Sequence, residues 1–414
     1  MTAGVTVADV VGVLDRLYDP RWAADWDAVG LVTGDPDQPV RRVLLAVDPV
    51  QAVVDEAVTW GADLLVTHHP LLLRPVHSVA ATEPKGRAVT TLVRAGVALH
   101  VAHTNADVAD PGVSDALAAA LGLTALRPLQ PAVADPLDKL VTFVPEADAE
   151  RVVDALAAAG AGRLGDYERC AFTSAGTGTF TPLAGADPTI GRVGEREQVA
   201  ETRIEMVLAR HRRTAVVAAL RAAHPYEEPA FDLVELVSLA GHRGLGRVGT
   251  WAPGGTLADF AGRVAAALPA TAAGVRVGGD PDRPVRTVAV CGGAGDDLFA
   301  EVRAAGVDAY VTADLRHPPA SEALAHGGPG MVDVSHWASE WPWPVPAVSA
   351  GSAPGHPARP WRSSPAESRP RCRPPRPGCG SAATRTGRSA RWRSAGERAT
   401  TSSPRSGRRA WTPT

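Results

Sequence analysis

Apolar residues recur at helical spacing over 7–18, 49–61 and 85–95; a short apolar run fills 43–47, and 63–67 and 98–102 are two more short, mostly apolar stretches. Runs of that length bounded by polar or glycine positions read as strands buried on both faces, and their alternation with helices predicts α/β layering. A further helix is expected over 112–121, ending at Gly122 as its cap. The pattern then changes around 127–136. Over 137–250 the reading is strand 140–144, helix 147–159, a Gly/Thr-rich stretch 174–180, strand 203–208, helix 214–223 and strand 231–236. That order predicts a small ferredoxin-like α+β module. From 255 the α/β character returns, with helices over 257–268, 297–305 and 321–325 and strands over 287–291, 309–312 and 331–334.

The last segment echoes the first. Gly61-Ala62-Asp63-Leu64-Leu65-Val66-Thr67 aligns with Gly306-Val307-Asp308-Ala309-Tyr310-Val311-Thr312, with four identities in seven. The strand before His103-x-x-x-Asp107 has a counterpart in the strand before His336-x-x-x-Glu340. Two matches in the same order point to an internal duplication. The expected architecture is therefore α/β: two related halves, 1–126 and 255–344, form one body that a ferredoxin-like insert over 137–250 interrupts. Such a body would bring the carboxyl ends of its strands together, where ligands of α/β sheets gather.

Composition changes this picture at one end only. The chain has 42 Lys+Arg against 45 Asp+Glu, a formal charge of −3. Residues 345–414 hold 14 Arg, no Lys and two acids, which leaves 28 basic and 43 acidic side chains in the first 344 residues, a net of −15. The tail also lacks Leu, Ile, Met, Phe and Tyr, so it cannot bury enough apolar surface to offset its ordering entropy, and disorder is expected there. An Arg-rich arm could touch nucleic acid. GC-rich coding sequence read out of frame gives the same Arg/Pro/Ser/Gly composition, and that reading is preferred; resequencing the locus decides it. The acidic body argues against nucleic-acid binding, since phosphate neutralisation needs clustered cations. Four cysteines, two of them isolated in the body, fit a reducing cytoplasm more than a disulfide framework. Neither a signal peptide nor an apolar stretch of membrane-spanning length is evident, so a cytoplasmic protein is expected.

Three clusters carry candidate chemistry. Thr67-His68-His69-Pro70 follows an apolar strand, and adjacent histidines at a strand end can point to different sides of the turn and reach different metal ions, although exposed loop histidines would read the same. His103-Thr104-Asn105-Ala106-Asp107 follows another strand, although Asn and Asp there also suit a turn and helix cap. His336 and Glu340 share a helix face if Ser335 starts a helix, but alone they read as an ordinary surface pair. Together the clusters supply mixed imidazole and carboxylate donors suited to two neighbouring divalent ions (zinc, manganese, iron or cobalt) that activate a water for hydrolysis. Gly244-Leu245-Gly246-Arg247-Val248-Gly249 has dinucleotide-motif spacing without the strand–turn–helix setting, so no such role is assigned. His224-Pro225-Tyr226-Glu227-Glu228-Pro229 is a polar knot between a helix and a strand that either lines a site or turns the chain.

At these residues, and at Trp26-Asp27-Ala28-Val29-Gly30-Leu31 and Gly176–Phe180, the chain resembles the Nif-three-like dinuclear-metal-centre family, also called GTP cyclohydrolase 1 type 2 homologues. The ordered set covers about residues 5–343. The resemblance implies His68, His69, Asp107, His336 and Glu340 as metal ligands, Glu340 as a bridge, and His103 as a neighbouring polar residue or general base. It also implies a toroidal homo-hexamer with the metal sites facing an internal cavity. The expected function is metal-dependent hydrolysis of a nucleotide or related small molecule, and the alternative is a non-catalytic metal-binding scaffold or regulatory protein. The Arg/Pro tail departs from the family, whose members continue with apolar sequence past the His-x-x-x-Glu helix.

Overall fold

A computed structural model describes residues 4–343; the tail from 345, expected to be disordered, lies outside the described residues. The first layered unit contains α1 (Val7–Leu17), β1 (Gly30–Thr33), β2 (Val43–Ala46), α2 (Gln51–Trp60), β3 (Leu64–Thr67), α3 (Pro84–Ala95), β4 (Ala98–Val101), α4 (Thr104–Val108) and α5 (Val113–Leu121). Its sheet runs β1-β4-β3-β2, with β2, β3 and β4 parallel and β1 antiparallel at the edge. Successive side chains of a strand face opposite ways, and here both faces are covered. Leu64 and Val66 join Val7, Leu14 and Ala98 in one core, while Leu65 packs with Leu44, Val53, Leu92 and Leu99 in the other. That double burial explains why these strands read as mostly apolar runs instead of alternating ones. Each fully buried Leu or Val contributes roughly 1.5–3 kcal/mol relative to exposure.

The second unit repeats the plan. After β5 (Leu123–Val133) and the insert come β10 (Ala240–Thr256), α8 (Leu257–Ala267), β11 (Arg276–Gly278), β12 (Pro284–Ala294), α9 (Phe299–Ala305), β13 (Ala309–Ala313), α10 (His317–Ala325), β14 (Gly330–Val334) and α11 (His336–Glu340). The sheet order is β11-β14-β13-β12-β10-β5, with β12, β13 and β14 parallel. The duplication read from the sequence is visible in its hydrogen bonds. Asp63 accepts from the Arg41 and Arg42 amides through Oδ2, and Asp308 accepts from the Arg286 and Thr287 amides in the same way. Gly61 and Gly306 both close the preceding helix in the left-handed region, at φ 71° and 63°.

The insert comprises β6 (Leu137–Pro145), α6 (Ala149–Ala158), β7 (Phe172–Phe180), β8 (Glu197–Ala209), α7 (Arg213–Ala223) and β9 (Phe231–Glu235), with sheet order β7-β8-β6-β9 and antiparallel neighbours. This is the ferredoxin-like order, and both helices pack on one face around Leu140, Leu156, Ile204 and Leu220. The chain re-enters the second sheet at Ala240, ahead of the residue 250 expected from composition. β10 carries six glycines and β5 two prolines, so neither shows an apolar period. The Gly244–Gly249 stretch is mid-strand, consistent with no dinucleotide role. Its Arg247 is buried, bonded to both oxygens of Asp115 and to the carbonyls of Ala109, Gly244 and Gly246.

The two related units interlock through α5. Val113 and Ala116 belong to the first core, while Leu117, Ala118 and Leu121 pack with Phe260, Val288 and Val290 of the second. Trp343, beyond α11, is buried in the first core beside Tyr18. Among the described residues no helix is long and apolar enough to cross a membrane.

Candidate metal centre

Every candidate residue sits just past the carboxyl end of a parallel strand or on the helix that follows it. His68 and His69 leave β3, and His103 and Asp107 flank or lie in α4 after β4. His336 and Glu340 occupy α11 after β14. The interlock through α5 turns these ends toward one another, so six residues spread over 273 positions converge.

Glu340 is the hub and is buried. Its Oε1 lies 3.1 Å from His336 Nε2 and 3.5 Å from His68 Nε2, and its Oε2 lies 3.2 Å from His69 Nε2. His68 Nε2 is also 3.6 Å from Asp107 Oδ1. Donor atoms of His69, His336 and Glu340 lie within 4.8 Å of one another, as do those of His68, His69 and His103. The i,i+4 spacing of His336 and Glu340 thus does place both on one face, and Ser335 is the cap position of that helix. Gly293 makes room for the hub: it has φ 71°, and a Cβ there would stand 2.7 Å from Glu340 Oε1 and 3.1 Å from His336 Nε2. Its amide donates to Ser339 Oγ at 2.9 Å and its carbonyl accepts from Thr312 Oγ1 at 2.9 Å, which fixes this approach.

All four histidines are oriented alike. The Nδ1–H of His69 donates to Asp48 Oδ1 at 2.7 Å, that of His336 to Asp314 Oδ2 at 2.7 Å, and that of His103 to Asp27 Oδ1 at 2.8 Å. His68 uses the Ala102 carbonyl at 2.9 Å. Carboxylates and carbonyls only accept, so the Nδ1 proton is fixed and each Nε2 is turned to the centre, the arrangement typical of metal-ligating histidine. Asp27 is itself held by the Thr104 amide and hydroxyl. These orienting carboxylates were not singled out by the sequence reading. The available signal was an acid one or two residues past a buried strand, for Asp48 and Asp314, and the quoted Trp26–Leu31 segment, for Asp27.

The electrostatics fit a cation. Burial works against charged His69, yet Asp48 and Glu340 raise its pKa to about 10, and Glu340 above all raises His336 to about 9. Burial also opposes charge on His68, and Asp107 and Glu340 override it. Burial pushes Asp107 up to about 6, whereas the three histidines hold Glu340 well below the carboxylate range against its own burial. Protons and a metal ion compete for the same negative charge. His68 Nε2 and Glu340 Oε2 are both buried without a hydrogen-bond partner, and a shared cation would satisfy them. His103 differs: burial lowers its pKa and Asp27 only partly offsets this.

The sequence profile described as Duf34/NIF3 (NGG1p interacting factor 3) matches residues 5–348. Proteins from Mycobacterium tuberculosis and Bacillus subtilis, both called GTP cyclohydrolase 1 type 2 homolog, are 55% and 39% identical over 340 residues; these alignments cover 82% of this chain and 89% and 90% of theirs. A crystal structure of a Bacillus cereus protein related to NIF3 is similar with TM-score 0.71 and 37% identity, covering 83% of this chain and 92% of that one. The Staphylococcus aureus protein SA1388 gives TM-score 0.68 at 29% identity, with coverage of 83% and 90%. A strand-end cluster of histidines and carboxylates in a duplicated α/β body thus coincides with similarity along nearly the whole described chain, and the protein belongs to the DUF34/NIF3 family.

Proposed function

We propose that the chain is a dinuclear metal-dependent hydrolase acting on a nucleotide or a related heterocyclic small molecule. The observation that carries this reading is the convergence of three imidazole Nε2 atoms on the buried Glu340, with His68 Nε2 and Glu340 Oε2 buried without a hydrogen-bond partner. In this reading His68, His69, Asp107, His336 and Glu340 would hold the two divalent ions, with Glu340 shared between them. Such ions, when bound, supply Lewis acidity and a water activated at neutral pH.

The remaining chemistry belongs to the chain's own groups. Asp48, Asp314 and the Ala102 carbonyl hold the ligand rings by their Nδ1 protons, so each Nε2 lone pair keeps its direction. His103 stands beside the ligands, its ring centroid 5.2 Å from that of His68 and 5.6 Å from that of His69. Asp27 fixes its Nδ1 proton and burial favours its neutral form, so Nε2 can take a proton as general base. Trp26, largely exposed, meets His103 edge-on and offers an indole face on which a planar substrate ring could stack. The relatives' name, GTP cyclohydrolase 1 type 2 homolog, agrees with a nucleotide-like substrate. Family resemblance extends the proposal to a homo-hexamer, which light scattering of the purified chain tests.

The decisive measurement is metal content per chain. Two equivalents, falling to one or none in Glu340→Ala, are expected. No metal in the parent protein after reconstitution with Zn, Mn, Fe or Co would end the proposal. A turnover screen under the same conditions separates the two functional readings: activity lost in His69→Ala supports the hydrolase, and bound metal without turnover supports a scaffold.

A further inference from the structure

The insert holds a cavity of about 630 Å³ of its own, built from β7, β8, the 181–196 loop and the His224–Pro229 knot. Phe143, Phe180 and Tyr226 supply aromatic wall, with the Phe180 and Tyr226 centroids 5.8 Å apart. Glu201, Glu227 and Glu228 supply the acids. The lining is fixed. His224 Nε2–H donates to the Phe143 carbonyl at 3.0 Å, and its Nδ1 accepts from the Tyr226 amide at 3.1 Å, which sets the ring of Tyr226 beside the cavity. The Asp187 amide donates to Glu227 Oε2 at 3.0 Å and Thr189 Oγ1 donates to the Pro225 carbonyl at 2.7 Å, tying the loop across it.

Glu201 is the unusual member. It is only 9% exposed, and among the described residues no lysine or arginine pairs with it. Its Oε1 accepts from the Tyr226 hydroxyl at 2.8 Å, while no hydrogen bond reaches Oε2. That oxygen lies where a side chain at Gly178 would be, so the Gly/Thr-rich β7 leaves space for the carboxylate in the cavity wall. Arg203 also lines the cavity, but its guanidinium is bonded to Glu205 at 2.8 and 2.9 Å. The free oxygen of Glu201 is open to the cavity, so a ligand cation seated there beside the Phe180 and Tyr226 rings is favoured twice, by the charge of Glu201 and by its attraction to the rings.

We infer that this cavity binds a small organic cation, an amino or guanidino group on an aromatic-sized body, with Glu201 as its counter-ion. This site is separate from the metal centre and goes beyond the proposed hydrolase. Binding of benzylamine to the full chain, followed by calorimetry or saturation-transfer NMR, tests it, with benzyl alcohol and benzoate as neutral and anionic analogues. Benzylamine should bind about tenfold more tightly than benzyl alcohol, the typical worth of a hydrogen bond to a charged group. Glu201→Gln should erase that preference, and Glu340→Ala should leave it unchanged. Gly178→Ala keeps every charge and puts a methyl where the carboxylate lies; on an exposed edge strand it should fold as the parent does and lose the same preference, so it decides the matter if Glu201→Gln fails to fold. Equal binding of benzyl alcohol, no amine binding at all, or a preference that survives in folded Gly178→Ala would each overturn the inference.

Discussion

Replacing Asp48 or Asp314 by Asn isolates the orienting shell of the proposed centre from its ligands. Each carboxylate takes the Nδ1 proton of a histidine at 2.7 Å, and each substitution keeps the shape while removing the charge that makes the imidazole a stronger donor. Loss of such a partner typically costs about 10–100-fold in metal affinity. The two act on different rings, so the double variant should bind more weakly than either single one. Folding should hardly notice, because the carboxylates are 41% and 58% exposed and pairs of that kind contribute about 0–1 kcal/mol. Competition against a chromophoric chelator gives the affinity, and thermal unfolding in chelator gives the control. An affinity within threefold of the parent, or a large loss of stability in chelator, would refute the orienting role.

Three further outcomes follow from buried groups. His100 is buried with no hydrogen bond to either ring nitrogen, and burial depresses its pKa from 6.5 to about 4. The unfolded chain therefore binds the extra proton between those values. Stability is full above pH 6.5 and falls by about 3 kcal/mol as pH drops to about 4; denaturant titrations should show His100→Leu removing that loss. Trp343→Ala should cost about 3–5 kcal/mol by urea unfolding. Because that indole lies 5.4 Å from the His68 ring, the variant should also retain metal less tightly on dialysis. Arg247→Leu leaves Asp115 and three carbonyls without their buried donor, and an unfolding midpoint lowered by the equivalent of about 3–5 kcal/mol is expected.

Strands buried on both faces were legible because nearly every position had to be apolar, as in 64–66 and 309–311. The strands that escaped were those whose partners replace periodicity. β10 holds its place through backbone pairing with β5 and β12 and through Arg247, and its glycines permit close approach, for example of Gly246 to Leu129 and Val290. The insert's helices and central strands were legible, while its exposed edge strand β7 was readable only as a Gly/Thr-rich stretch.

By itself the sequence determined the donor inventory. Two histidines after one strand, His103 and Asp107 after another, and a His-x-x-x-Glu pair after a third are local facts, as is the repeat that made two halves expected. Helical spacing alone sufficed to bring His336 and Glu340 together. Only the tertiary structure decided that α5 belongs to both cores: its apolar positions form one broad stripe, of which Val113 and Ala116 pack in the first core and Leu117, Ala118 and Leu121 in the second, and nothing local says where that stripe divides. That interlock brings Glu340 to His68 and His69. It likewise decided that Asp48 and Asp314 point at imidazoles, since an exposed acid after a strand has no local reason to prefer a histidine over water until the fold supplies one, and that Asp27 is buried against His103.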